Sequence, residues 1–182
     1  MNKSSKIYYR TQQELISETY EEYLETRKNM NHEHDHDRWI IDIFDGKKEK
    51  EKIIYNDNKI ILLSNVSFDE KDLSQLDLLA FVKDIELKTI RDLTQKDILL
   101  LEYLYETCIK VIENKYGIKK SKIRAYFHYH PTTWILHVHF NLISNNIINA
   151  SVEYSYPIWN VIENLKLDSN YYRKIIMTVC RK

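Results

Sequence analysis

The stretch His128–Phe140, HYHPTTWILHVHF, contains four of the seven histidines of the chain. Residue types alternate on both sides of Pro131, which is the pattern of two β-strands joined by a turn. In an extended strand, residues i and i+2 point to the same face, roughly 6.5–7 Å apart. His137 and His139 therefore share one face of the second strand, and the apolar residues between and beside them share the opposite face.

His128 and His130 form a second pair of this kind before the turn. If the two strands are antiparallel neighbours, all four imidazole rings converge. A zinc site would suit that geometry, since imidazole is a common zinc ligand. A phosphoryl-transfer site would suit it equally, with one histidine as nucleophile and the others stabilising charge. Two paired strands with partly exposed histidines are the third interpretation, and spacing alone leaves all three open.

The composition narrows the classes of function. The 182 residues suit one domain, and 27 basic residues balance 27 acidic ones. A general nucleic-acid coat would need a basic excess, so DNA is not an expected partner. Cys108 and Cys180 lie in apolar patterns, which favours free thiols in a reducing compartment. The chain shows no apolar run of membrane-spanning or signal-peptide length, so we expect a cytoplasmic protein, also compatible with the nucleus, without a membrane partner.

Upstream of the histidines, residues 10–30 carry apolar positions at helical spacing and predict an amphipathic helix. The tract NHEHDHD, with His32, His34 and His36, predicts a solvated loop in preference to a metal site. RWIIDIFDG predicts a short helix that ends at Gly46. KIIY and KIILL, separated by Asn56–Asn58, predict a hairpin.

Residues 70–84 (EKDLSQLDLLAFVKD) look helical, and a longer helix is predicted from a cap at Thr94 to Gly117. Pro157 predicts a helix start, and RKIIMTVC a last strand. Strands and helices are intermixed, so the fold class is α+β with an antiparallel sheet. We place a boundary near Asp37, with an N-terminal helical arm over 1–37 and one domain over 38–182.

The segment RAYFHYHPTTWILHVHF resembles the histidine-triad (HIT) superfamily and, more narrowly, the C-terminal domain of the scavenger mRNA decapping enzymes. IRDLTQKDILLLEYL before it and VIENLKLD after it agree, and the similarity runs from about Trp39 to the C-terminus. The resemblance implies a HIT-like antiparallel sheet packed with helices. It also implies hydrolysis of the cap on short capped RNA fragments or cap dinucleotides, releasing 7-methylguanosine monophosphate through a phosphohistidine, with no metal and no cofactor.

By this resemblance His137 takes the place of the nucleophile, while His139 and His128 contact the phosphates. Thr132, Thr133 and Ser67 stand at positions that bind phosphate, although Ser67 replaces a lysine there. We expect that Lys59 or Arg124 could supply the missing charge. Ile135 stands where the family has the first histidine of its triad, and its backbone carbonyl could still fix the tautomer of His137. His130 is additional, and is expected either to compensate or to face solvent at the strand end.

The resemblance also implies a site for the methylated base. Trp39 would stack on it, helped by cation–π attraction, and Glu49 would bind its N–H edge. Val66 would contact the face of the base opposite to Trp39. Asn65 stands where the family has an acidic residue. Should Trp39 prove a core residue, Trp134 is the next candidate for stacking.

Two departures from the family keep other functions open. Ile135 and Ser67 suggest a cap-binding protein with weak or no catalysis. The short segment before Trp39 leaves little room for the family's N-terminal lid domain, which suggests a general HIT nucleotide hydrolase. We also expect a homodimer, with the apolar helix LLLEYLYETCIKVI at its interface.

Overall fold

The computed structural model describes residues 14–29, 35–66, 68–145 and 151–181 of the chain. Its strands are β1 (Glu14–Glu18), β2 (Ile53–Asn56), β3 (Ile60–Ser64), β4 (Asp77–Val82), β5 (Ile123–His128), β6 (His137–Leu142), β7 (Ser155–Pro157) and β8 (Met177–Arg181). Its α-helices are α1 (Tyr20–Asn29), α2 (Asp35–Phe44), α3 (Ile98–Tyr116), α4 (Ile158–Leu167) and α5 (Tyr171–Lys174).

Six strands form one sheet in the order β2-β3-β4-β6-β5-β7, and all neighbours in it are antiparallel. The predicted hairpin is present as β2 and β3, where Asp57 Oδ1 accepts from the Lys59 and Ile60 N–H groups at 2.8 Å. Strands β1 and β8 form a separate antiparallel pair. The α+β class with an antiparallel sheet packed with helices is confirmed.

The sheet has a different partner on each face. One face packs on α3 and α4 and forms the main core, to which β6 contributes Val138 and Phe140. On the other face, Ile40 and Ile43 of α2 pack on residues of β3 and β4 and on Ile135. Alternate residues of a strand point to opposite faces, so the histidines of β6 share the face that carries α2.

Helix α3 has the ends that the sequence predicts. The Thr94 N–H donates to Asp97 Oδ2 at 2.8 Å, and Gly117 follows with a φ of 68°, a conformation that favours glycine. Its apolar stripe is buried in the main core of the same chain and consists of Ile98, Leu101, Leu104, Tyr105, Cys108, Ile109 and Ile112. This stripe is therefore not free for a subunit interface, and an interface through the rest of the helix, where Leu99 is exposed, stays a prediction.

Residues 14–18 form strand β1, so the helix predicted over 10–30 is wrong there. Thr19 and Glu22 explain the boundary, because the Thr19 N–H donates to Glu22 Oε2 at 2.7 Å and the Glu22 N–H donates to Thr19 Oγ1 at 3.3 Å. This capping box starts α1 at Tyr20 and leaves the preceding residues to pair with β8. The helical arm over 1–37 needs the same correction, and the boundary near Asp37 stays a prediction.

The helix predicted over 70–84 is also wrong. Its apolar part is β4, which is buried along its whole length between β3 and β6. A short apolar run fits a central strand and a buried helix equally well by periodicity, and here the neighbouring strands decide. Asp77 is the first residue of this strand and therefore lies in the sheet.

Both cysteines are unpaired thiols, as the sequence predicts. Burial raises the pKa of the Cys108 thiol, with the charge of Asp57 adding to the effect, so it is a neutral core residue. Over the described ranges, every helix is too short or too polar to cross a membrane.

Candidate active site

Three histidine rings meet on the sheet face opposite to the main core. The ring centroids of His128 and His139 lie 4.1 Å apart, and those of His137 and His139 lie 5.1 Å apart. The antiparallel pairing of β5 with β6 brings this about, since it sets Tyr126 opposite His139 and leaves His128 on the same face. The ring of Tyr126 stacks on that of His139, with centroids 5.3 Å apart and planes 11° apart.

His137 is held in one tautomer by the backbone. Its Nδ1 lies 2.8 Å from the carbonyl oxygen of Ile135, and a carbonyl can only accept, so Nδ1 carries the proton. The lone pair is then on Nε2. Burial lowers the pKa of His137 to about 4, with the charge of His128 acting in the same direction against the hydrogen bond to Ile135. At neutral pH this side chain is therefore an uncharged imidazole with a fixed basic nitrogen.

His139 lies beside it with an unused nitrogen. The side chain is buried, and its Nε2 has no hydrogen-bond partner among the described residues. Buried polar atoms are nearly always hydrogen-bonded, so this nitrogen is suited to a ligand. Burial lowers the pKa of His139 well below its ordinary value, and the neighbouring His137 and His128 lower it further. A neutral imidazole here can donate a hydrogen bond to a phosphate oxygen without carrying a permanent charge.

His130 does not join the other three, so the predicted convergence of four rings is wrong. Its Nε2 lies 2.8 Å from Glu18 Oε1, and Glu18 also accepts from the hydroxyl of Tyr129. The chain turns after β5, which carries His130 towards β1 and away from the histidine face. Neither solvent exposure at a strand end nor a four-histidine zinc site describes it. In the described part of the chain, no group of three or more His, Cys, Asp or Glu has a metal-binding arrangement.

Of the three residues predicted to bind phosphate, the structure describes two. Thr132 and Thr133 lie in the turn that joins β5 to β6, the first exposed and the second buried. Ser67 lies outside the described residues, as do His32 and His34 of the polar tract, whose last histidine, His36, is in α2.

The charged groups of both basic residues suggested as substitutes for the family's lysine are engaged by other parts of the chain. The Arg124 guanidinium donates to the carbonyl oxygens of Leu142, Ile143 and Asn145 at 2.7–3.2 Å. The Lys59 ammonium lies 4.8 Å from the ring centroid of Tyr103, on the α3 side of the sheet. The expectation that either one replaces that lysine is wrong in this conformation.

Trp39 and Glu49 are in direct contact, across the ten positions that separate them in the sequence. The Trp39 indole N–H donates to Glu49 Oε1 at 2.8 Å, and Lys52 Nζ lies 3.0 Å from Glu49 Oε2. Partial burial tends to raise the pKa of Glu49, but the hydrogen bonds from Trp39 and Lys52 outweigh it and lower the pKa. Trp39 is half-buried and packs against an apolar cluster on the histidine face, called here the α2 cluster. This cluster consists of Ile40, Ile43, Ile61, Leu63, Leu79, Phe81 and Ile135. Trp134 is buried in the main core, so it is not available as an alternative stacking platform.

Asn65 and Val66 follow β3 on the side where β4 begins. Val66 is 71% exposed. The Asn65 amide donates to Asp77 Oδ2 at 2.7 Å, and its Oδ1 accepts from the Val66 N–H at 2.7 Å. Asn65 is thus oriented by a buried carboxylate.

Sequence reasoning missed three side chains that surround these groups: Tyr126, Asn141 and Asp77. The alternation that puts His137 and His139 on one face puts Asn141 there too, so this signal was present. Asp77 could not be found in the same way, because its segment was predicted as a helix.

An antiparallel α+β sheet carries imidazoles grouped on one face, one of them neutral because it is buried and fixed in its tautomer by a backbone carbonyl, an arrangement suited to phosphate chemistry at a histidine. The chain matches the family model described as "Scavenger mRNA decapping enzyme C-term binding" over residues 38–151, which is more than half of its length. It belongs to that family.

Curated relatives agree with this assignment. The chain is 35% identical over 185 residues to the m7GpppX diphosphatase of Ascaris suum, with 96% of the chain and 60% of the relative covered. It is 31% identical over 182 residues to the protein of the same name in Caenorhabditis elegans, with 97% and 56% covered. The chain thus spans less than two thirds of the length of these relatives. The solved structure "Hnt3 in complex with DNA and guanosine" aligns with 76% of this chain and 82% of that one, with 17% identity and a TM-score of 0.46, too low to transfer function.

Proposed function

We propose that this protein hydrolyses the triphosphate bridge of the m7G cap on dinucleotides or short RNA fragments and releases 7-methylguanosine monophosphate. The observation that carries the proposal is the Nδ1 contact of His137 with the Ile135 carbonyl at 2.8 Å, which leaves a basic Nε2 in a neutral ring. Relatives that carry the name m7GpppX diphosphatase support the substrate class.

The reaction would proceed in two steps. His137 Nε2 attacks the phosphorus next to 7-methylguanosine, and the bond from this phosphorus to the bridging oxygen breaks. The rest of the cap leaves with the electron pair as a diphosphate, and a phosphohistidine remains. Water then attacks the same phosphorus, which releases 7-methylguanosine monophosphate and returns His137 to its neutral form.

His139 and His128 would stabilise the charge that develops on the phosphate oxygens. Their rings are already in contact, and the buried Nε2 of His139 lacks a partner among the described residues. Groups that are fixed before the reaction stabilise a transition state without a cost of reorganisation. Thr132 and Thr133, in the turn before β6, are proposed to hold the remaining phosphate oxygens, together with Ser67.

Trp39, Glu49, Asn65 and Val66 are proposed to bind the methylated base. The contact between the Trp39 indole and Glu49 places an aromatic surface beside a carboxylate, the two groups that a cationic guanine requires. The lowered pKa of Glu49 keeps it charged at neutral pH.

The alternative of a binding protein without catalysis rested on Ile135 and on Ser67, which lies outside the described residues. The contact of the Ile135 carbonyl with His137 supplies the function that a first triad histidine would have in fixing the tautomer, and so it favours an active enzyme. A homodimer and a cytoplasmic or nuclear setting stay predictions from the sequence.

The test is product analysis with the methylated dinucleotide m7GpppG and its unmethylated counterpart GpppG. The proposed function predicts 7-methylguanosine monophosphate and guanosine diphosphate from the first, and slower hydrolysis of the second. Equal rates would indicate a general nucleotide hydrolase. Binding of m7GpppG without any product would indicate a cap-binding protein.

A further inference from the structure

A continuous series of hydrogen bonds, two of them buried and one partly buried, joins the histidine face to the loop after β3. The Tyr126 hydroxyl donates to Asn141 Oδ1 at 2.6 Å, and Asn141 Nδ2 donates to Asp77 Oδ1 at 2.8 Å. The other oxygen of Asp77 accepts from Asn65 Nδ2 at 2.7 Å. At its first end, the ring of Tyr126 stacks on His139.

The strand register creates this series. Asp77 lies opposite Asn141 across β4 and β6, and Tyr126 lies opposite His139 across β5 and β6, all on one face. Tyr126 therefore reaches Asn141 along the diagonal, which is within range of an aromatic side chain. Tyr126, Asn141 and Asp77 are each more than nine-tenths buried. Burying a carboxylate and an amide is costly unless each is hydrogen-bonded, so this arrangement is specific.

Each hydrogen bond in this series has only one possible donor. An ionised aspartate can only accept, so both asparagine amides must turn their NH₂ groups towards Asp77. Asn141 is then left with its oxygen facing Tyr126, which must donate. Burial and the nearby charge of Asp77 raise the pKa of Tyr126, so its hydroxyl keeps the proton that it donates. The orientation of four side chains therefore follows from one carboxylate.

We infer that Asp77, Asn141 and Tyr126 are positioning residues that hold the ring of His139 and the amide of Asn65 in one fixed relation. The inference rests on the proposed function, in which His139 contacts phosphate and Asn65 contacts the methylated base. Base recognition and phosphate chemistry are then coupled through Asp77. A change at Asp77 should therefore lower the turnover number and the preference for the methylated base together.

Asp77→Asn tests this directly. The new amide can accept from one neighbouring amide but must turn its own NH₂ towards the other, so one link is broken. We expect kcat for m7GpppG to fall about tenfold or more, and the m7GpppG to GpppG preference to fall by a similar factor. Asp92→Asn is the matched control, since Asp92 is a buried aspartate bonded to Tyr23 and Arg27, outside the site.

The double variant Asp77→Asn/Asn141→Asp provides the rescue. The carboxylate introduced at position 141 accepts from the Tyr126 hydroxyl and from the amide introduced at position 77, and the oxygen of that amide accepts from Asn65. Every link is thus restored, with the carboxylate moved by one place. The hydrogen bond from Asn141 Nδ2 to the Leu76 carbonyl, at 3.3 Å in the wild type, is lost in this variant. We expect recovery of kcat and of methyl preference to within about threefold of wild type.

Tyr126→Phe is the milder test, since it keeps the stacked ring and removes only the hydroxyl. The imidazole NMR resonances of His139 supply a readout that does not depend on turnover. Asp77→Asn and Tyr126→Phe should shift or broaden them, and the double variant should restore them.

If Asp77→Asn lowers the melting temperature but leaves kcat, methyl preference and the His139 resonances unchanged, the role is only structural and the inference is overturned. A folded double variant that is as impaired as Asp77→Asn would also overturn it. If wild type binds m7GpppG but does not hydrolyse it, the proposed function fails, and binding preference with the His139 resonances still decides the inference.

Discussion

Replacing Trp39 with alanine removes the aromatic surface that is proposed to stack on the methylated base. Stacking on an aromatic side chain contributes roughly 1–3 kcal/mol per base. The positive charge of the methylated ring adds a cation–π contribution of about 0.5–2 kcal/mol. The smallest sum, about 1.5 kcal/mol, corresponds to roughly a tenfold loss of affinity for m7GpppG. For GpppG only the stacking contribution is lost, so the preference for the methylated ligand should fall as well.

Titration in the His137→Asn background keeps the ligand intact during the measurement. Trp39→Phe retains an aromatic ring without the indole N–H that donates to Glu49, and it should recover part of the affinity. Trp159→Ala is a matched control, because Trp159 is 37% exposed and packs on Tyr105 of α3, on the other side of the sheet. It should leave the affinity for both ligands unchanged.

Trp39 also packs against the α2 cluster, so the alanine variant should lose some thermal stability. A comparison of the two ligands distinguishes a loss of stability from a loss of base recognition. If Trp39 is only a core residue, the variant loses affinity for m7GpppG and GpppG by the same factor. An unchanged melting temperature together with an unchanged methyl preference would refute both roles.

Two further predictions concern the histidines. Because burial lowers the pKa of His137 to about 4, kcat/KM should stay level down to about pH 5, and a pH profile with its acid limb near 6.5 would contradict this assignment. The unfolded state binds more protons than the folded state between about pH 4 and 6.5, so stability should decrease as the pH falls through that range. Ile135→His should change kcat by less than about threefold, because the backbone carbonyl already orients His137; a gain from no activity to measurable activity would indicate a wild type without catalysis.

Much of the architecture follows from local sequence patterns. Alternation in WILHVHFNL fixed which residues of β6 face the core, and the Asn-Asp-Asn turn fixed the hairpin of β2 and β3. The Thr94 cap and Gly117 fixed both ends of α3. In each case the deciding interaction lies within a few residues of the pattern that predicts it.

The errors arise where distant residues decide the structure. Periodicity cannot separate a buried strand from a helix in the apolar run at Asp77–Val82, and only pairing with β3 and β6 makes it β4. Residues 14–18 pair with the far end of the chain, a partner that no local pattern identifies. The position of His130 was predicted wrongly for the same reason, because its partner, Glu18 on β1, is distant in the sequence.

The site was predictable to the extent that the family resemblance covered it. The spacing placed His128, His137 and His139 together, and the resemblance paired Trp39 with Glu49, which are in contact. The hydrogen bonds among Tyr126, Asn141 and Asp77 beside the histidines could not be predicted in the same way. They depend on the register of β4 against β6, which sets Asp77 opposite Asn141.

The central claim is that His137 Nε2 attacks the phosphorus next to 7-methylguanosine, and His137→Asn tests it most directly. Asparagine can still donate an N–H to the Ile135 carbonyl in place of Nδ1 but has no basic nitrogen with which to form a covalent bond. Single-turnover hydrolysis of m7GpppG should fall on the order of 10³-fold or more, since removal of a nucleophile acts on the transition state. Affinity for m7GpppG should stay within about threefold of wild type. Hydrolysis within tenfold of the wild-type rate would contradict the claim.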